Sequence, residues 1–117
     1  MTTVQIDQSM LDQFRMLERA GKPGVLKQMV GMFLKGSAEQ IAAIIAASAA
    51  ADGEKLRVTS HTLKSNAASF GATALAEAAR EIEYAARAGT CTLAADALER
   101  LRALHQASCV ELSRAVE

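Results

Sequence analysis

His61 and Lys64 stand three residues apart in the stretch "HTLKSNAASFGA", where most of the other side chains are small. A neutral imidazole nitrogen is a nucleophile toward phosphorus near neutral pH. A phosphoryl group in transfer spreads negative charge over its oxygens, and a nearby ammonium offsets that charge. Donor and acceptor must also come into line, so the surface around such a ring has to be shallow. Ser65 and Ala68 meet that need. The same residues equally suit an exposed histidine and lysine with no chemistry, on a helix whose small side chains serve packing.

The helix that carries them decides which way the ring points. At about 100° per residue, Leu56, Thr59, Leu63, Ala67 and Phe70 gather on one side, and His61 lies almost opposite Leu63 and Phe70. The pattern predicts an exposed His61, with Arg57, Lys64, Ser65 and Ala68 on its face. On the next helix Arg80, Glu83 and Arg87 share one side and read as a solvated charge ladder, with the Glu83–Arg87 pair contributing about 0.2–0.5 kcal/mol. The second histidine, His105, sits at the edge of the last helix's apolar stripe, four residues after Leu101. It has Ser108 rather than a lysine three residues on, and is predicted to be partly buried and structural.

The rest of the chain supplies helices to hold this face. Its 117 residues fit one domain, half of them apolar, with alanine abundant and aromatics at 3%. Alanine favours helices that approach closely, and the single proline leaves long stretches unbroken. Asp7 is placed to cap a short helix through "QSMLDQFRMLERAG", stopped by Gly21. Pro23 suits the first turn of a long helix running from Val25 to about Ala50, with Gly31 and Gly36 as weak points. A helix from Leu56 to about Phe70 follows the Asp52-Gly53 turn. Thr73 is placed to cap another that ends at Gly89, and a last one runs from about Leu93 toward Val116. The expected fold is all-α: an antiparallel four-helix bundle with a short additional N-terminal helix.

Composition excludes several function classes. Thirteen basic and thirteen acidic residues cancel, and no basic or polybasic patch points to nucleic acid or anionic lipid. The N-terminal stretch "TTVQIDQSM" lacks the features of a leader. The longest apolar run, Ile41 to Ala51, falls short of the roughly 20 residues a span requires. Cys91 and Cys109 form no CxxC pair and read as reduced cytosolic thiols. Val58 and Arg102 precede the two histidines by three, so the Glu-x-x-His pairs of di-metal bundles are missing. There is no glycine-rich phosphate loop, nucleophile elbow or H-E-x-x-H motif. Met10, Met16, Met29 and Met32 read as core filling or a partner-helix contact.

The stretch "HTLKSNAASFGATALAEAAREIEYAARAG", His61 to Gly89, resembles the core of the histidine-containing phosphotransfer (HPt) family. That family's approximate pattern is H-x-L-K-G, small residues, an apolar residue and G-A, then a helix ending A-R-x-G. His61, Leu63, Lys64, Phe70, Gly71, Ala72, Arg87 and Gly89 match it, and the upstream layout agrees, so nearly the whole chain is covered. Ser65 replaces the usual glycine. The resemblance implies that residues 1–117 form one such domain, a cytoplasmic and monomeric phosphocarrier with no kinase or ATP site and no cofactor or metal of its own. It implies phosphorylation of His61, charge stabilisation by Lys64, and a phosphoryl-facing or docking role for Arg87, Ser65, Ala68 and Arg57. The implied partners are response-regulator receiver domains and a hybrid sensor histidine kinase, with no nucleic acid and no membrane. A stand-alone protein is expected from the intact Met1 and the near-complete domain length. The alternative is a helical adaptor that binds receiver or kinase domains without phosphotransfer.

Overall fold

The computed structural model describes residues 2–117, and among them there are five helices and no strand. They are α1 (Gln8–Arg19), α2 (Val25–Ala49), α3 (Gly53–Ser69), α4 (Thr73–Arg87) and α5 (Ala95–Ala115). Helices α2 to α5 form the bundle. The most extensive packing is α3 on α4, then α3 on α2, with α5 closing the ring against both α2 and α4. Short helix α1 leans on α2.

The core follows the helical periodicity. Leu11, Ile44, Leu56, Leu63, Leu75, Leu101 and Leu112 are fully buried, each worth about 1.5–3 kcal/mol of transfer free energy. Helix α2 runs unbroken through Gly31 and Gly36 because Leu26, Val30, Phe33, Ile41 and Ile44 pack along it. Taken whole, α2 is long and apolar enough to cross a membrane. The uninterrupted run understated this length, because Lys27, Lys35 and Glu39 break the apolar sequence but not the helix. In this fold α2 packs against α1, α3 and α5.

Side-chain caps mark two of the five helix starts. Asp7 Oδ1 accepts from the Ser9 amide at 3.1 Å, and Asp52 Oδ1 accepts from the Lys55 amide at 3.0 Å, each satisfying a free helix donor. Four boundaries differ from expectation. Pro23 lies one residue before the Gly24 cap position and not in the first turn of α2, and α3 begins at Gly53, three residues before Leu56. Thr73 is not a cap but the first residue of α4; the cap position falls on Ala72, which has no side-chain bond to offer. Helix α5 begins two residues after Leu93, whose amide donates to the buried Ser48 hydroxyl at 2.8 Å and is held outside the helix.

The chain reverses sharply at the end of α3. The Ala72 amide donates to Ala67 O at 2.9 Å and the Gly71 amide to Ala68 O at 3.1 Å, a reversal that needs the left-handed Gly71 (φ 75°). The N-terminal segment crosses this turn, with the Asp7 amide donating to Gly71 O at 2.8 Å. All three phenylalanines meet beside it: Phe70 lies 5.4 Å from Phe14 and 4.9 Å from Phe33, ring centre to ring centre. A Cβ on Gly71 would sit 2.4 Å from Asp7 O, whereas one on the exposed helical Gly31 meets nothing within 4 Å. Gly71→Ala should therefore destabilise the fold by about 1–3 kcal/mol or more, combining backbone strain and clash. Gly31→Ala should stabilise it by about 0.4–1 kcal/mol. Urea-denaturation midpoints moving in opposite directions are the expected result.

Candidate functional site

His61 lies midway along α3 and its side chain is 53% exposed, as the helical pattern predicts. Ser65 and Ala68 are exposed one and two turns further on, while Arg57 and Lys64 are partly buried. Exposed hydroxyls on this helix turn back to their own backbone: Thr62 Oγ1 donates to Val58 O and Ser69 Oγ to Ser65 O, at 3.1 and 3.0 Å.

The residue that organises the site is Glu83 on α4, with only 4% of its side chain exposed. Its Oε2 lies 3.0 Å from His61 Nδ1 and 2.8 Å from Arg87 Nη2, and Arg87 Nε adds a contact at 3.2 Å. Its Oε1 lies 2.7 Å from Lys64 Nζ, a close ion pair without an aligned hydrogen bond. The Lys64 ammonium, then the Arg87 guanidinium, hold the Glu83 carboxyl down at about 2 against the opposing effect of burial, with His61 adding to the depression. An ionised carboxylate only accepts hydrogen bonds, so this pairing assigns the imidazole hydrogen to Nδ1 and leaves the Nε2 lone pair free.

The expected charge ladder on α4 is thus corrected. Arg80 bonds Glu77 and the Tyr84 hydroxyl and lies over the Tyr84 ring, while Glu83 faces α3. Glu83 follows Ala79 by four residues and Ala76 by seven, so it continues the small-residue stripe that α4 presents to α3. That register was the available sequence signal. Arg57 is held by Glu54 through Nε at 3.1 Å and through Nη2, and its guanidinium is raised by Glu54 first and, more weakly, by Glu83. Asn66 sits away from the ring, lining a small cleft with Phe33, Ser37 and Phe70.

His105 belongs to a separate cluster. Its Nε2 lies 2.9 Å from the buried Ser37 hydroxyl and 3.3 Å from Cys109 Sγ, bridging α2 and α5. Burial lowers the His105 pKa and raises that of Cys109, so both are neutral packing groups. Among the described residues no three His, Cys, Asp or Glu side chains gather to hold a metal ion.

A family model of the Hpt domain matches residues 28–110, most of the chain and all of the site. The chain belongs to the Hpt domain family. Hpt domains are the phosphocarriers of phosphorelays, passing phosphoryl groups on histidine between receiver and kinase domains. The fold is similar to the crystal structure of histidine-containing phosphotransfer protein B (HptB) from Pseudomonas aeruginosa PAO1. That likeness has a TM-score of 0.83 and 23% identity, and covers 98% of this chain and 96% of the other. No curated protein matches the chain.

The depressed Glu83 carboxyl has a consequence for stability. A folded-state value below the ordinary 4.5 means that its contribution is complete above about 4.5 and is lost as pH falls toward about 2. The stability gap between the wild type and Glu83→Gln should therefore be constant near neutrality and shrink across that acidic window. Urea denaturation at a series of pH values measures it.

Proposed function

We propose that this Hpt protein accepts a phosphoryl group on Nε2 of His61 from the aspartyl phosphate of a receiver domain and returns it to another receiver. The observation that carries this reading is the exposed ring whose Nδ1 faces a buried, ionised Glu83 at 3.0 Å. Nε2 then has a lone pair for in-line attack, and no proton has to leave the attacking atom. The new P–N bond forms as the bond from phosphorus to the aspartyl oxygen breaks, and the aspartate departs as a carboxylate.

The cations are placed for the charge that develops. Lys64 and Arg87 together outweigh Glu83, leaving one positive charge beside the ring before any phosphoryl group arrives. Lys64 Nζ, paired with Oε1 at 2.7 Å, can turn from it to a phosphoryl oxygen. Arg87, 51% exposed, keeps donors free for the same group. Arg57 is neutralised by Glu54 and serves the rim of the docking surface. Ser65 and Ala68 keep the approach shallow. The acting partners are receiver domains and the sensor kinase that feeds them, and the chain acts as a monomer.

His61→Gln should abolish phosphoryl acceptance from a labelled receiver while leaving the fold intact, since an exposed substitution changes stability by about 0.5 kcal/mol or less. The label on the wild type should survive alkali and be lost in acid. Retained label in the variant contradicts the assignment, and receivers that bind without labelling the wild type point to the adaptor reading. Lys64→Ala should slow transfer by roughly ten-fold or more without eliminating it; an unchanged rate removes Lys64 from the mechanism.

A further inference from the structure

We propose that Glu83 keeps the phosphorylated His61 ring protonated at Nδ1, so that the phosphoryl group is stored on a cationic imidazole primed to release it. The inference rests on His61 being the acceptor and concerns what happens after the group arrives.

The geometry leaves Nδ1 one comfortable state. Glu83 Oε2 faces it at 3.0 Å from a side chain almost closed to water, between α3 and α4. If the phosphorylated ring lost its Nδ1 proton, a nitrogen lone pair would face a carboxylate oxygen at that distance, two acceptors with no hydrogen between them. Moving the proton onto Glu83 is opposed by Lys64 and Arg87, which hold the carboxyl ionised.

The wider charge balance agrees. The groups facing the ring are Glu54, Arg57 and Lys64 from α3 and Glu83 and Arg87 from α4. Glu54 cancels Arg57, and the remaining three carry one net positive charge. A dianionic phosphoryl group on a protonated ring adds one net negative charge and brings the cluster to neutrality. The same group on a deprotonated ring leaves it negative.

Protonation decides the leaving group. In onward transfer an acceptor oxygen attacks phosphorus, the P–N bond breaks and its electron pair returns to Nε2. With the proton retained, the ring departs as neutral imidazole, bearing the same Nδ1 hydrogen throughout. Without it, the ring would depart as an imidazolate anion. Glu83 acts here as a positioning residue, reaching the phosphoryl group only through the imidazole.

The test uses the full chain, labelled with 15N in histidine and phosphorylated by phosphoramidate, so that no cognate partner is required. In the wild type, side-chain NMR should show Nδ1 of phosphorylated His61 still protonated through neutral pH. In Glu83→Gln the proton should be lost at least about one pH unit lower, as expected on removing an adjacent opposite charge. Hydrolysis of the phosphohistidine near neutral pH should then be about ten-fold slower in Glu83→Gln than in the wild type, and equal in both at acidic pH. Glu83→Asp should restore part of the difference. Equal deprotonation midpoints, or equal hydrolysis rates at every pH, overturn the proposal while leaving His61 as acceptor. Should Glu83→Gln fail to fold, the wild-type titration decides alone, and loss of the Nδ1 proton below neutral pH overturns it. Phosphoryl transfer to a site other than His61 overturns the acceptor reading and this inference together.

Discussion

A buried carboxylate between two helices is the constraint on which the site depends. Withdrawing a charge from water is costly unless it is paired, and Glu83 meets one imidazole and two cations within 3.0 Å. Lys64 and His61 come from α3, and Arg87 from the same helix as Glu83, so the ion cluster fixes the register of α4 on α3. The direction of the His61 ring follows from that register. Loss of one partner would leave the carboxylate under-paired, which makes the arrangement hard to deform.

The bundle is shaped to permit this approach. Ala67 on α3, Ala72 at the cap position of α4 and Ala78 and Ala79 midway along α4 are buried, and α3 and α4 share the most extensive contact in the molecule. The chain reverses between them at Gly71, where the N-terminal segment is pinned by the Asp7 amide. Phe14, Phe33 and Phe70 fill that end of the bundle, so α1 and α2 support the reversal that sets α4 in place. The result is a shallow exposed face at His61 with one buried carboxylate beneath it.

Much of this was legible in the sequence. The exposure of His61 followed from its position opposite Leu63 and Phe70, because an apolar stripe fixes a helix's rotation about its own axis. The five helices followed from periodicity and from glycines and aspartates at their ends. Glu83 was not read correctly, because its spacing from Arg80 and Arg87 also describes a solvated ladder. Only the alanine stripe before it shows that this side of α4 meets another helix. Thr73 looked like a cap, but the Gly71 turn starts α4 one residue sooner. Leu93 looked helical, and the Ser48 hydroxyl that holds its amide is 45 residues away in sequence. Such boundaries depend on tertiary partners, which local patterns do not carry.

In the proposed mechanism Glu83 makes Nε2 of His61 the reacting atom. The most direct measurement is the site of attachment in the phosphorylated protein, read from the 15N–31P coupling of the imidazole nitrogens. The expected result is phosphorus bonded to Nε2 of His61, with the hydrogen on Nδ1. Phosphorus on Nδ1, where the carboxylate stands, would contradict it.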